Sequence, residues 1–531
     1  MIFSSQEFLF VFLPLSLLAI LIVTRYGGRN AGFLVLVVAS IIFYGWQNPR
    51  YVLLIGASIA VNFAVGMVLE KYPRRRWLCL GVAFNLGLIG YFKYAYFLTG
   101  VLTEASGVDF HLGTIVLPLA ISFFTFQQIA YLVDVYQGKV RDTSFLHYCV
   151  FVTFFPQLIA GPIVHHADII PQFEKKDNFT FDWAKLRIGC GIFLLGLYKK
   201  IVFADGISVY ANSVFAAAGD TPPTFFEAWG GALAYSFQIY FDFSGYSDMA
   251  IGLAWIFGIA LPLNFFSPYK AVNIIEFWRR WHMTLSRFLR DYLYYPLGGN
   301  RKGQPRRYAN LMTVMLLGGL WHGAGWTFVA WGGLHGLYLV VNHAWHALVR
   351  MAGGNTGQSS SWGRAVGRTL TFLCVVVAWV FFRAESWQGA FNILEGMMGL
   401  NGAVLPIWAL DSLGPIGSAL VFGGVEAGKT PLMDVSGYGW IACLLAIVWL
   451  MPNTQQLFES RSPGLDYEKC RQDFGGLYAN RSVVVMAWIA GLLDCKPAMW
   501  KVPLILTSIA LAVLIVITRG AEMSPFIYMF F

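Results

Sequence analysis

Long apolar runs with almost no charged residues are the feature that most constrains how this chain can fold. A membrane-spanning helix needs about 20 mostly apolar residues. Runs that approach this length cover residues 8–23, 32–46, 52–69, 77–98, 188–203 and 503–517. Only 12% of the 531 residues are charged, against about 25% in a typical soluble chain. Because lipid leaves backbone polar groups no partners outside the segment, the sequence predicts an all-α polytopic membrane protein with about 11 to 13 transmembrane helices.

Basic residues gather in loops that would lie on one face of the membrane. They follow the first and third runs: Arg25, Arg29, Lys71, Arg74, Arg75 and Arg76. Cytoplasmic loops carry the excess of Lys and Arg, so this face is predicted to be cytoplasmic and the N-terminus periplasmic. The net charge of +9 is then a signal for the orientation of the chain in the membrane, and we expect no nucleic-acid partner. Residues 8–23 lack a basic flank and a small-residue cleavage site, so we expect a first helix and not a cleaved signal peptide.

Signatures of metal sites and soluble hydrolases are missing from the sequence. The seven cysteines are scattered without metal-ligand or disulfide spacing. No HExxH or G-x-S-x-G motif occurs. The sequence therefore predicts neither a metal site nor a bound cofactor.

The apolar run 148–164 is interrupted by Pro156, Gly161 and Pro162. Broken backbone at membrane depth is tolerated only where protein or water surrounds it, so this segment is expected to be re-entrant or packed inside.

Residues 276–293 carry the strongest amphipathic pattern. At about 100° per residue, the aromatic side chains fall on one arc and the arginines on the other. We expect one interfacial helix here. Arg279 and Arg280 would either pair with lipid phosphates and with Glu276, as an anchor, or form a cytoplasmic rim for an anionic donor, because Arg pairs well with phosphate.

The glycine-rich run 297–307 continues this basic region. Arg301, Arg306 and Arg307 follow paired glycines that permit a tight turn. The run lacks the Lys-Ser/Thr of a P-loop. It is either a phosphate cradle or an ordinary positive cytoplasmic loop.

His322 stands in the apolar, glycine-rich run LGGLWHGAGW, residues 317–326. An ionisable residue at membrane depth usually faces an interior cavity, and a neutral imidazole there can serve as general base and then general acid. The alternative is a structural hydrogen-bonding histidine. Downstream, His335, Asn342 and His346 share one helical face, which is expected to line the same cavity.

Asp242 and Asp248 lie among apolar residues in YFDFSGYSDMAIG, residues 240–252. Buried carboxylates require partners or a wet cavity. They would either take part in acid–base chemistry or neutralise Arg279 or Arg280 and hold the central bundle together.

Taken together, these runs resemble the membrane-bound O-acyltransferase (MBOAT) family. The resemblance is carried by FDFSGYSDMAIG (241–252), EFWRRWHMTLSRFLRDYLYYPLGGNR (276–301) and LLGGLWHGAGWTFVAWGGLHG (316–336), with support from ISFFTFQQIAYLVDVYQG (121–138) and FFPQLIAGPIV (154–164). It covers roughly residues 1–390 as a catalytic core. Residues 391–531 carry no family motif and would add about two further spans. Within the family the chain is most similar to the bacterial branch that O-acetylates exported polysaccharides such as alginate.

The resemblance implies a ring of helices around a central funnel, with His322 as the catalytic histidine and His282 as the second family histidine. It implies a bacterial inner-membrane enzyme that takes acetyl from a cytoplasmic thioester, acetyl-CoA, and passes it toward an exopolysaccharide through periplasmic partners with a serine-hydrolase-like fold. Arg279, Arg280, Arg301, Arg306 and Arg307 would then meet the donor phosphates, while Asp242, Asp248, His335 and Asn342 would support the polar core. The sequence alone leaves two alternatives, which are a transporter that performs no chemistry and a structural subunit of an exopolysaccharide assembly.

Overall fold

The computed structural model describes residues 1–110, 112–141, 144–175, 177–354, 360–459, 464–474 and 526–527. The predicted span 503–517 lies outside these residues. The described part is almost entirely helical, with one two-residue parallel pair of strands, β1 (Val404–Leu405) and β2 (Glu426–Ala427).

The helices are numbered here in chain order. The first eleven are α1 (Glu7–Gly27), α2 (Arg29–Gly45), α3 (Arg50–Lys71), α4 (Arg75–Ser106), α5 (Ile121–Tyr136), α6 (Phe145–Thr153), α7 (Phe155–Leu158), α8 (His166–Phe173), α9 (Trp183–Tyr198), α10 (Asp205–Ala217) and α11 (Phe225–Ile256). The remainder are α12 (Ile274–Trp278), α13 (Met283–Leu289), α14 (Gly303–His322), α15 (Trp326–Met351), α16 (Ser361–Arg383), α17 (Trp387–Met397), α18 (Ile407–Ser412), α19 (Pro415–Phe422), α20 (Val435–Leu450), α21 (Thr454–Leu457) and α22 (Tyr467–Phe474).

The long apolar helices confirm a polytopic membrane protein. Within the described residues, α1, α3, α4 and α16 are long and apolar enough to cross a membrane, and α2 and α20 are shorter apolar helices. The predicted runs in residues 8–98 coincide with α1 to α4. Helix α4 continues beyond the predicted run 77–98 to Ser106 and ends at Gly107, whose φ of 70° is the left-handed conformation that terminates helices. The expected total of about 11 to 13 spans stays a prediction.

The broken run 148–164 is packed inside the protein, as expected. Helix α6 ends at Thr153, α7 occupies a single turn, and an irregular stretch follows to His165. Residues 150–166 are all buried. Protein therefore surrounds the interrupted backbone, which is the condition that lipid imposes on it.

Helix α11 is the 32-residue axis of the bundle. It begins with a capping box formed by Thr224 and Glu227. Helix α9 crosses it so closely that a Cβ added to Gly189 would lie 2.6 Å from the carbonyl oxygen of Gly252. Small residues at such crossings let two helical backbones pack directly against each other. The crossing sets the position of the π-helical turn Lys199–Ala204 that follows α9 along α11.

The described residues after 390 pack onto the same bundle. Helix α20 lies against α11, and the hydroxyl of Thr454 on α21 donates to Asp248 at 2.6 Å. Near the end of the chain, the backbone N–H of Ile527 donates to Asp242 at 2.8 Å. These contacts join the described parts of the C-terminal region to the core, while the division at residue 390 stays a prediction.

Candidate functional site

His322 is the last residue of α14 and is 2% exposed. The chain then turns through Gly323 into α15, so that α14 and α15 form a helical hairpin. Their crossing requires glycine on both sides: a Cβ on Gly319 would lie 2.3 Å from the carbonyl oxygen of Phe328, and one on Gly332 would lie 2.3 Å from that of Met315. The glycine-rich sequence thus brings α15 close enough to cover His322.

The C-terminal end of α14 is capped by side chains of α4. The ammonium group of Lys93 donates to the carbonyl oxygen of Trp321 and, at 3.4 Å, to that of His322. The hydroxyl of Tyr94 donates to the carbonyl oxygen of Leu320 at 2.8 Å. The last carbonyls of a helix have no partner within it and carry partial negative charge, so a cation is favoured at this position. Lys93 and Tyr94 belong to a π-helical turn, Gly90–Tyr94, in α4.

Aromatic rings enclose the imidazole of His322. The ring of Trp331 meets it edge to face at a centroid distance of 5.1 Å, and that of Phe382 lies at 5.1 Å. The ring of His282 lies 6.4 Å away. The two histidines that the family resemblance singled out are therefore neighbours, although 40 residues separate them in the sequence.

His282 occupies a sharp turn and is fully buried, with φ 42° and ψ 53°. Its Nδ1 lies 2.9 Å from the side-chain oxygen of Asn264, and the hydroxyl of Thr284 donates to the same oxygen at 2.9 Å. The Asn264 amide nitrogen donates to Ser247, which fixes the orientation of the amide. An amide oxygen only accepts hydrogen bonds, so Nδ1 carries the proton and Nε2 of the neutral ring is an acceptor.

The expectation of one continuous helix over residues 276–293 is wrong. The segment consists of α12 and α13, separated by the turn Arg279–His282. The backbone N–H of Met283 donates to the carbonyl oxygen of Asn264, and that of Phe266 to the carbonyl oxygen of Arg280. These bonds to residues 264 and 266 replace helical ones, and Arg280 and Trp281 are both buried at the turn.

A cavity of about 1070 Å³ connects His322 with charged residues nearer the surface. Its buried wall includes His322, Trp331 and Leu285. Its more exposed wall carries both basic and acidic side chains, which are Arg279, Arg287, Arg290, Arg307, His343 and Lys469 together with Asp168, Asp291, Asp466 and Asp473. The cavity therefore joins the buried imidazole of His322 to an opening lined by charged side chains of both signs.

The five arginines proposed to meet a donor are placed differently. Arg279 and Arg307 line the cavity, and neither forms an ion pair with a carboxylate in the described part of the chain. Arg307 contacts the ring of His343 at 3.1 Å. Arg280 is fully buried, where it pairs with Glu276 and packs over the ring of Phe474. Arg301 and Arg306 are exposed and lie outside the cavity wall.

The buried carboxylates do not neutralise Arg279 or Arg280, which corrects that expectation. Asp242 pairs with Lys200 at 2.7 Å, and Asp248 pairs with Lys199 at 2.8 Å. Both lysines come from the π-helical turn after α9, because the close α9–α11 crossing brings that turn alongside α11.

His335 and Asn342 do not line the cavity. His335 is fully buried, stacked parallel to Phe277 at 6.0 Å and packed against Trp331 at 4.9 Å. Asn342 is half-buried on the same helix. The residues of α15 that line the cavity are Trp331, Leu339 and His343.

Sequence reasoning missed Lys93, Asn264, Trp331 and His343. A signal for Lys93 was present, since it is a charged residue inside the apolar run 77–98 and such residues usually have a function or a buried partner. Trp331 and Asn264 carry no comparable signal, because their roles depend on how distant segments pack.

Comparisons with known proteins show which family the chain is similar to. The profile of MBOAT, the membrane-bound O-acyltransferase family, matches residues 136–380. The chain is 44% identical to a peptidoglycan O-acetyltransferase of Helicobacter pylori, over 76% of this chain and 81% of that protein. It is 43% identical to a probable alginate O-acetylase of Pseudomonas putida, over 78% of this chain and 82% of that protein. A teichoic acid D-alanyltransferase of Streptococcus thermophilus is 26% identical over 50% of this chain and 68% of its own length.

Proposed function

The chain belongs to the membrane-bound O-acyltransferase family, and from this premise we propose that it moves acetyl from a cytoplasmic thioester donor across the membrane for the O-acetylation of an exported glycan. The observation that carries the proposal is the buried His322 in the wall of a cavity whose opening bears Arg279 and Arg307. Membership of an acyltransferase family decides against a transporter without chemistry and against a purely structural subunit. Relatives named for peptidoglycan and alginate O-acetylation support a glycan acceptor.

The proposed donor is acetyl-CoA, bound with its phosphates at the cavity opening. Arg279 and Arg307 suit this role because neither is engaged by a carboxylate in the described part of the chain, and guanidinium groups bind phosphate with paired hydrogen bonds. The thioester would then extend along the cavity toward His322.

His322 is the proposed general base. It takes the proton of the acceptor hydroxyl as the oxygen attacks the thioester carbonyl, which forms the C–O bond. The C–S bond then breaks, and the leaving thiolate receives a proton from the imidazolium. His282, held by Asn264 beside His322, orients the reacting groups.

The proposed setting is the bacterial inner membrane with the N-terminus in the periplasm, as the basic loops after the first and third runs indicate. Acetyl-CoA then stays in the cytoplasm while the acetyl group reaches the outer side. Periplasmic partners with a serine-hydrolase-like fold, implied by the family resemblance, would complete transfer to the polysaccharide.

Replacement of His322 by alanine tests the proposal. The matched control is His346→Ala, because His346 lies on α15 but outside the cavity wall. We expect the acetyl ester content of the exported glycan to vanish with His322→Ala and to persist with His346→Ala, at equal protein levels in the membrane. Acetylation retained in His322→Ala would overturn the assignment.

A further inference from the structure

Some side chains in the cavity wall have hydrogen-bonding groups that the protein itself leaves unused. The indole nitrogens of Trp278 and Trp331 and the hydroxyl of Ser286 are buried and have no hydrogen-bond partner within the described residues. A buried donor without an acceptor costs about 1–3 kcal/mol, and native proteins contain few of them. Donors of this kind in a cavity wall are suited to oxygen atoms of a ligand.

Trp331 is the member of this group that contacts His322. Its side chain is 1% exposed, and its ring meets the imidazole of His322 edge to face at 5.1 Å. The glycine crossing of α14 and α15, at Gly319 and Gly332, places Trp331 beside the end of α14. The indole is therefore fixed next to the group that removes the acceptor proton.

Two other polar side chains near His322, those of Lys93 and His282, already use hydrogen-bond donors within the protein. The ammonium group of Lys93 donates to the backbone carbonyls of Trp321 and His322. His282 donates from Nδ1 to Asn264, and in this neutral tautomer Nε2 is an acceptor, which does not stabilise a negative oxygen. The indole N–H of Trp331 has neither restriction.

We propose that the indole N–H of Trp331 donates a hydrogen bond to the carbonyl oxygen of the acyl thioester and stabilises the oxyanion that forms during transfer. When the acceptor oxygen bonds to the carbonyl carbon, the C=O electron pair moves to this oxygen. It returns when the C–S bond breaks and the thiolate leaves. A fixed donor in a water-excluded site stabilises such charge strongly, and loss of one donor lowers kcat by about 10²- to 10³-fold in enzymes that use this device.

This inference rests on the proposed function, and the test uses the full chain purified in lipid nanodiscs with acetyl-CoA as the probe. Thiol release is followed with a thiol reagent for Trp331→Phe and Trp379→Phe. Trp379 is the matched control because it is a fully buried tryptophan stacked on Trp331 at 5.7 Å but lies outside the cavity wall. A second variant carries β-(3-benzothienyl)alanine at position 331, which keeps the shape of indole and replaces N–H with sulfur.

We expect both changes at position 331 to lower kcat by about 10²-fold with KM within about threefold, and Trp379→Phe to leave kcat within threefold. Equal rates for the benzothienyl variant and the unmodified protein would overturn the inference, as would a change confined to KM. The rate of glycan ester accumulation in cells separates the two proposals. If the unmodified protein released no thiol from acetyl-CoA but the position 331 variants slowed ester accumulation, the donor assignment would fail and the role of Trp331 would stand.

Discussion

Two π-helical turns carry lysines into the interior of this protein, and the lysines meet different partners. The turn Lys199–Ala204 places Lys200 between two carboxylates, at 2.8 Å from Asp205 and 2.7 Å from Asp242. The turn Gly90–Tyr94 places Lys93 on the backbone carbonyls of Trp321 and His322. Within the described residues, Lys93 has no carboxylate within ion-pairing distance, so its charge acts on the end of a helix.

This difference indicates what each buried charge does. Side-chain ion pairs satisfy both partners and join α11 to its neighbours, which is a structural contribution. A cation on helix carbonyls instead compensates the negative end of the helix dipole, and here that helix ends in His322. π-Helical turns occur often at functional sites, and of these two lysine-bearing turns it is the one in α4 that contacts the end of the helix bearing the proposed catalytic residue. The stability of the fold should therefore depend on the turn Lys199–Ala204, and turnover on the turn Gly90–Tyr94.

The largest effect is expected for Lys200→Met, which should lower the free energy of unfolding. Asp242 is 1% exposed, and removal of one partner from a buried pair leaves a charge without compensation, which costs about 3–5 kcal/mol. Thermal unfolding of the purified protein in detergent should show this loss. The double variant Lys200→Met with Asp242→Asn should recover part of it, because the second change removes the buried charge. An unfolding midpoint for Lys200→Met equal to that of the unmodified protein would contradict the structural role.

For Lys93→Met we expect a smaller effect, which falls on kcat and not on the unfolding midpoint. A misplacement of about 1 Å caused by a change remote from the chemistry can cost about 10²-fold in rate, so we expect kcat to fall by about 10- to 30-fold as the end of α14 and its histidine lose their fixed position. Lys93→Arg should keep more of the activity because it preserves the cation. The rate per folded molecule, measured as thiol release, is the relevant readout.

Lys199→Met is the matched comparison for Lys93→Met. Lys199 pairs with Asp248 at 2.8 Å on the other π-helical turn, so its loss should lower the unfolding temperature and leave the rate per folded molecule nearly unchanged. If Lys93→Met and Lys199→Met reduced turnover equally, the proposed division between the two turns would be wrong.

The sequence could predict those features of the fold that depend on a single segment. Apolar runs of sufficient length gave the helices in residues 8–98, because lipid demands internal backbone hydrogen bonds whatever the packing. The buried state of residues 150–166 followed from Pro156, Gly161 and Pro162 by the same rule. His322 was identified from its apolar, glycine-rich surroundings together with family resemblance. These properties are local to one segment.

Properties that depend on two distant segments could not be predicted. Periodicity over residues 276–293 indicated a single helix, but bonds from Met283 to Asn264 and from Phe266 to Arg280 break it. The partners of Asp242 and Asp248 were expected among the arginines, but the α9–α11 crossing places Lys199 and Lys200 beside them. The capping of α14 by Lys93 joins residues 228 positions apart, which no pattern within either segment reveals.

The smallest effect is expected at the cavity opening, where charges are more exposed. Arg279 and Arg307 line the cavity, whereas Arg301 and Arg306 lie on the surface outside it. Interactions of exposed charges are each worth up to about 1 kcal/mol, so Arg279→Gln with Arg307→Gln should raise KM for acetyl-CoA by about fivefold to tenfold and leave kcat nearly constant. The effect should shrink at high ionic strength because salt screens exposed charges. The control pair, Arg301→Gln with Arg306→Gln, removes the same net charge from the same basic region. If both pairs of substitutions raised KM equally, the effect of Arg279 and Arg307 on KM would come from general attraction by the basic face and not from binding in the cavity.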